Sequence, residues 1–184
     1  MLEITNDRLV VLVLLTAFIL TRVAELPLHR ANKRFLEFAG AEKQFSWALV
    51  GFYVLSLLVI PAALIENYYR HHLSEPLAWT RLLAIQLIFG GLSLRIWAVK
   101  TLGRMWTLEM FFVSGFPLVK SGPYRLLKHP EYFGRLVEGF GICLFLQAKI
   151  SALAFVLGAA GLLMEIVHKE ARQIKALADL EPIG

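Results

Sequence analysis

Charged residues are scarce in this chain, and cysteine is almost absent. Only 18% of the 184 residues are charged, whereas 58% are hydrophobic. Disordered chains are rich in charge and poor in apolar residues, so this composition excludes disorder. The one cysteine, Cys143, excludes a disulfide scaffold and a zinc site built from several cysteines. Soluble domains carry roughly 45–50% apolar residues, so the excess here indicates a membrane protein.

Long uncharged runs give the fold class. Ser46 to Ile65 is twenty residues without a charge, which is the length a helix needs to cross the apolar core of a bilayer. We predict an all-α integral membrane protein with about five transmembrane helices in one domain covering residues 1–184. The helices are expected near residues 8–26, 46–65, 80–100, 131–147 and 150–178. The last two are so close in sequence that they must form a helical hairpin.

The basic residues predict the topology. Twelve of the 19 Lys and Arg residues fall in the connection between helices one and two, in the connection between helices three and four and in the C-terminal tail from Lys169, and four fall on the opposite side. Cytoplasmic segments carry such an excess, so we expect the N-terminus outside and the C-terminus in the cytoplasm. The same distribution explains the net charge of +5 without a nucleic-acid partner. Leu28 to Lys43 is expected to be either an amphipathic helix on the cytoplasmic face or a plain basic connector.

The longest connection, at residues 101–131, is the expected place for chemistry. Loops of this length are usually functional or disordered. This one is rich in apolar and aromatic residues, so we expect it to pack on the helix bundle. Non-helical backbone at membrane depth is tolerated only where protein covers it or where it lines a cavity.

A sequence motif occupies the end of this loop. It runs from Leu118 to Tyr132 and reads LVKSGPYRLLKHPEY. It resembles the cofactor-binding stretch of the isoprenylcysteine carboxyl methyltransferase family of integral membrane enzymes. That pattern has a hydrophobic pair, then Gly-Pro-Tyr, then Arg-His-Pro-x-Tyr at the opening of a helix. The chain keeps all three parts, with Lys128 in place of the arginine.

The resemblance extends over about Arg22 to Leu177. Arg22–Leu26, followed by Arg30, Asn32, Arg34 and Gly40-Ala41, is similar to a bacterial branch of the family that includes O-methyltransferases of alkylpyrones and phenolic lipids. The tail departs from the pattern. Where the family often ends its last helix with Arg-Ile-x-x-Glu-Glu, this chain has EIVHKE, and of the two glutamates it keeps only the second, Glu170.

The resemblance implies S-adenosyl-L-methionine as the cofactor, bound on the cytoplasmic side. The candidate cofactor-binding residues are Leu118, Val119, Gly122, Tyr124, His129, Pro130, Tyr132 and Glu170. The chain has no glycine-rich turn after a strand, so the soluble dinucleotide-type cofactor site is absent. Without the resemblance, a packing cluster at the start of a helix would also explain His129 and Tyr132.

Ionisable residues within the helices are the candidates for catalysis, because charges at membrane depth are functional or paired by default. Arg135 and Glu138 lie three apart on one helix face and are the predicted catalytic residues. An arginine suits a carboxylate acceptor, whereas a glutamate suits a hydroxyl acceptor as a base. The alternative is a structural salt-bridge network that also includes Arg22, Glu25 and Arg95.

The predicted reaction is therefore O-methylation of a lipophilic acceptor that enters from the membrane lipids. A small non-enzymatic scaffold or transporter subunit is the competing hypothesis. Transporters often contain inverted repeats, and the sequence shows no internal repeat.

Overall fold

A computed structural model describes residues 2–70, 78–112 and 119–180. Five helices dominate it. In chain order the elements are α1 (Leu2–Phe38), β1 (Glu42–Gln44), α2 (Trp47–Arg70), α3 (Ala78–Leu102), a 3-10 turn (Gly103–Met105), β2 (Met110–Phe112), a second 3-10 turn (Gly122–Arg125), α4 (Pro130–Phe145) and α5 (Lys149–Leu180).

Four of these helices are long and apolar enough to cross a membrane. The spans are Val11–Phe38, Trp47–Tyr69, Ala78–Met105 and Lys149–Gln173. Helix α4 has 16 residues, so it is about 24 Å long at 1.5 Å per residue, which is less than the roughly 30 Å of a bilayer core. The predicted all-α integral membrane fold is confirmed.

The chain divides into two compact units. The first unit contains Met1–Gln44 and Arg104–Val113, and the second contains Phe45–Gly103 and Ser114–Gly184. The prediction of one domain is not tested by this division and stays a prediction.

Helix α1, in the first unit, continues further than the sequence predicted. A helix ending near Leu26 was expected, followed from Leu28 by either a separate amphipathic helix or a plain basic connector. Instead, α1 runs through Pro27 to Phe38 without a break. Proline removes one backbone hydrogen bond and usually ends or kinks a helix. Here the residues beyond it have a tertiary partner that stabilises the helix, because Asn32 Nδ2 donates to the carbonyl of Trp106 at 2.7 Å.

The long loop is attached to α1 within the first unit. Lys33 Nζ lies 3.0 Å from one carboxylate oxygen of Glu109, and Lys43 Nζ lies 2.9 Å from the other. Burial opposes ionisation of Glu109, but hydrogen bonds from Lys43 and Lys33 outweigh it and hold the pKa of that carboxyl below its usual value. Strand β1 also pairs with β2 in an antiparallel ladder.

Helices α4 and α5, in the second unit, form the predicted hairpin. The turn passes through Gln147, which has a φ of 55°. Helix α2 stabilises both sides of this turn. Asn67 Nδ2 donates to the carbonyl of Leu146 at 2.8 Å, and Glu66 accepts from the backbone N–H groups of Ile150 and Ser151 at 2.9 and 2.7 Å. Glu66 thus satisfies donors that the start of α5 would leave unpaired.

Glycines bring α3 and α4 into backbone contact. A Cβ atom on Gly91 would lie 2.6 Å from the carbonyl oxygen of Gly134, and one on Gly134 would lie 2.7 Å from Cγ of Arg95. A Cβ on Gly141, two turns further along α4, would lie 3.0 Å from the carbonyl oxygen of Ala84. Small residues permit such close approach of helices, and no side chain larger than hydrogen fits at Gly91 or Gly134.

Replacing Gly91 by alanine should therefore destabilise the protein. The added methyl group must push α3 away from α4, and overpacking of this kind costs about 1–3 kcal/mol. The matched control is Gly90→Ala. A Cβ on Gly90 has nothing within 4 Å, and alanine is a better helix former by roughly 0.5–1 kcal/mol. Denaturation of the detergent-solubilised variants measures both effects. Equal stability of the two variants would contradict the close crossing.

Candidate active site

Helix α4 begins in a way that orients His129. Pro130 occupies the first helical position, where its fixed φ is favourable and its missing N–H is not needed. His129 precedes it as the N-cap residue, and its side chain makes no capping hydrogen bond. The imidazole instead stacks on the ring of Tyr132, with centroids 5.6 Å apart and planes 14° from parallel.

Three predicted cofactor residues meet at this point, although one comes from a distant part of the sequence. His129 Nε2 lies 3.2 Å from a carboxylate oxygen of Glu170 on α5. Tyr132 contacts Phe52 of α2 edge to face, with centroids 5.4 Å apart. Because Phe52 is completely buried, α2 fixes the position of the tyrosine ring. We call His129, Tyr132 and Glu170 the aromatic cluster.

The imidazole of His129 is neutral at physiological pH. Burial lowers the pKa of His129 to about 4, and the positive charge of Lys128 adds to the effect. Its Nε2 atom is buried and has no hydrogen bond of good geometry among the described residues, despite the short distance to Glu170. A neutral imidazole whose Nε2 makes no hydrogen bond within the described residues can form one with a polar group of a ligand.

The Gly122–Arg125 turn lies against the end of α3. Gly122 has a φ of 55°, and a Cβ there would lie 2.7 Å from Oγ1 of Thr101 and 3.2 Å from Nε1 of Trp97. Glycine is therefore required at position 122, because φ is positive there and because a Cβ atom would collide with Thr101. Burial raises the pKa of Tyr124 above its ordinary value, so its hydroxyl stays protonated. Of the predicted hydrophobic pair, Val119 is partly buried and Leu118 lies outside the described residues.

Arg135 lies one turn beyond the aromatic cluster in sequence and is buried. Its Nε donates to a carboxylate oxygen of Glu131 at 2.5 Å. Its guanidinium carbon lies 4.6 Å from the centre of the Tyr53 ring on α2, within the range of a cation–π contact. The side chains of Arg135 and Glu131 are 1% and 7% exposed, so this ion pair is almost fully removed from solvent.

Glu138 has a different partner. Arg95 Nη1 of α3 donates to its carboxylate, and both side chains are buried. The sequence grouped Arg135 with Glu138, whereas the structure places a carboxylate against each arginine. The Arg95–Glu138 pair joins α3 to α4 beside the glycine crossing. Arg22 and Glu25 form their own pair in the first unit, at 3.5 Å.

Sequence reasoning overlooked three contributors to this region. Phe52 and Tyr53 lie in the uniformly apolar helix α2, where no local pattern distinguishes them. Glu131 was treated as the variable position of the motif. Its spacing of four residues from Arg135 is the signal that would have identified it, because residues at i and i+4 share a helix face.

Similarity to known proteins gives the class: this is a membrane methyltransferase. The model of the isoprenylcysteine carboxyl methyltransferase (ICMT) family matches residues 82–176, which is just over half of the chain and includes most of α3, the Gly122 turn, α4 and most of α5. The chain belongs to this family, and the resemblance seen in the sequence is confirmed.

Individual relatives agree with this assignment. The uncharacterized protein YpbQ of Bacillus subtilis is 28% identical over 88% of this chain and 95% of its own length. Protein-S-isoprenylcysteine O-methyltransferase A of Arabidopsis thaliana is 33% identical over 42% of this chain and 40% of its own length. A probable protein-S-isoprenylcysteine O-methyltransferase of rice, Oryza sativa, is 30% identical over 47% of this chain and 50% of its own length. The chain thus matches at most half the length of these plant enzymes. No solved structure matches it significantly.

The neutral state of His129 predicts an acid-sensitive fold. Its pKa is about 4 in the folded protein and about 6.5 in an unfolded chain. Below about pH 6.5 His129 becomes protonated in the unfolded state but stays neutral in the folded state. The free energy of unfolding therefore decreases as the pH falls from about 6.5 to about 4, and His129 has no effect on it above about pH 6.5. The drop in melting temperature from pH 7.5 to pH 5 should be smaller for His129→Gln than for the wild type. His168→Gln, which changes an exposed histidine, is the control and should behave as wild type. Equal drops in all three proteins would contradict a buried neutral His129.

Proposed function

We propose that this chain is an S-adenosyl-L-methionine-dependent methyltransferase that O-methylates a carboxylate or hydroxyl group of a lipophilic acceptor. The cofactor site faces the cytoplasm, and the acceptor reaches it from the bilayer. The observation that carries the proposal is the convergence of His129, Tyr132 and Glu170, which the family motif assigned to the cofactor although they lie on two helices.

The residues of the aromatic cluster fit this cofactor chemically. Tyr132 offers a ring face for the adenine, and the neutral His129 offers a nitrogen for an adenine or ribose edge. Glu170 offers a carboxylate for the ammonium of the methionine part. The Gly122–Arg125 turn brings backbone groups to the end of α3, where they can approach a ligand closely. When bound, the cofactor supplies an activated methyl group on a sulfonium.

Arg135 and Glu138 are proposed to serve the acceptor. Methyl transfer is a displacement at carbon, so the main task of the protein is to align the acceptor oxygen with the methyl group. Arg135 can bind an anionic oxygen. Glu138 can receive the proton that a hydroxyl acceptor must lose. Arg95 holds the Glu138 carboxylate on the α3 side of α4, so a base at this position is fixed in place.

Binding of S-adenosylhomocysteine tests the cofactor site independently of the acceptor. The solubilised wild type should show a thermal shift and a calorimetric affinity for this product. His129→Ala should weaken the affinity at least tenfold, or about 1.4 kcal/mol, because the nitrogen and the stacking partner of Tyr132 are both lost. His168→Ala is the matched control and should bind normally. No binding by the wild type, or unchanged affinity of His129→Ala, would contradict the proposed site. Methyl transfer to a panel of prenylcysteines, alkylpyrones, phenolic lipids and quinols then identifies the acceptor class.

Glu138→Gln tests the role of the carboxylate. With a hydroxyl acceptor, turnover should fall about a hundredfold, within the usual range for a lost general base, while the affinity for S-adenosylhomocysteine stays nearly constant. Melting temperature measured on the same preparation separates loss of the Arg95 ion pair from loss of catalysis. A less stable variant with the full rate per folded molecule would show that Glu138 is structural and would favour a carboxylate acceptor.

A further inference from the structure

The ion pair between Glu131 and Arg135 is almost fully buried. Both residues belong to the first two turns of α4, so the hydrogen bond between them lies within one helix. Removing two charges from solvent costs free energy that the attraction between them only partly offsets. The Arg95–Glu138 pair differs, because it connects α3 to α4 at their closest approach. A buried pair within one helix therefore needs another explanation.

The surroundings of Arg135 supply one. Glu131 engages the guanidinium at Nε, and the ring of Tyr53 lies against the guanidinium carbon. One contact restrains an edge of the planar group and the other restrains a face. Together they fix its plane and its rotation, which a single partner would leave variable. A lysine at this position could not be oriented in this way, because its ammonium group is not planar and has no second donor nitrogen.

We propose that Glu131 and Tyr53 are positioning residues that hold the guanidinium of Arg135 in the orientation needed to bind the acceptor oxygen. The inference rests on the proposed function, in which Arg135 touches the acceptor. Glu131 and Tyr53 act through Arg135 and not on the cofactor. Their location favours this role, since Glu131 is adjacent to Tyr132 in sequence and Tyr53 is adjacent to Phe52, which packs on Tyr132. The same residues that frame the aromatic cluster thus orient the arginine beside it.

Kinetics of four variants test the proposal, with the most active acceptor of the panel as the probe. Glu131→Gln should lower kcat about 10- to 100-fold, as small misplacements of a catalytic group do, and should leave the affinity for S-adenosylhomocysteine within about twofold of wild type. Tyr53→Leu should lower kcat by a similar factor, because the ring that contacts Arg135 is lost. Tyr53→Phe keeps the ring and should retain most of the wild-type kcat. Glu66→Gln is the control for loss of a structural carboxylate, because Glu66 accepts hydrogen bonds from the start of α5. Glu66 follows Tyr53 by thirteen residues and so lies about 20 Å from it along α2. Glu66→Gln should lower the melting temperature and leave kcat per folded molecule unchanged.

A double-mutant cycle shows whether Glu131 acts through Arg135. In an Arg135→Gln background, Glu131→Gln should change kcat less than about threefold, because the group that it positions is gone. An equally large effect in both backgrounds, or a full kcat in Glu131→Gln, would overturn the inference while leaving the proposed function intact. A wild type that binds no S-adenosylhomocysteine and methylates no acceptor of the panel would overturn the proposed function and this inference with it.

Discussion

The backbone contact between α3 and α4 at Gly91 and Gly134 is the constraint on which the rest of the site depends. It brings the helices close enough for Arg95 to lie over Gly134 and reach Glu138. Helix α3 also contacts the Gly122 turn through Trp97 and Thr101. One helix therefore sets the position of both parts of the family motif, the turn and the start of α4. A change in the α3–α4 distance would displace both together.

Two kinds of chemistry are arranged along the first three turns of α4. The aromatic cluster comes first and combines a neutral imidazole, a phenol and the carboxylate of Glu170. The two buried ion pairs follow, with Arg135 and Glu138 at their centres. In the proposed function the first group holds the cofactor and the second the acceptor, so the direction of methyl transfer follows the helix. Helix α2 contributes to both groups through the neighbouring residues Phe52 and Tyr53.

The helices could be predicted because long uncharged runs, of which Ser46–Ile65 has the full twenty residues, have few alternatives to a membrane helix. Glu170 could be assigned to the site only through the family motif, since its contact with His129 spans 41 residues. The continuation of α1 through Pro27 could not be predicted, because contacts with Trp106 and Glu109 stabilise it. The pairing of β1 with β2 was equally invisible, since three-residue strands so far apart in sequence carry no local signal. The partners of the buried charges could not be predicted for the same reason: Arg95 reaches Glu138 because two glycines let α3 and α4 approach each other closely.

The central claim is that the start of α4, the Gly122 turn and the part of α5 around Glu170 form one cofactor site. Hydrogen–deuterium exchange of the solubilised protein with and without S-adenosylhomocysteine tests it most directly. The account predicts slower amide exchange in residues 119–135 and 165–173, and unchanged exchange in the α4–α5 turn at residues 146–149. Slower exchange at the turn alone, or no change in residues 119–135, would contradict the account.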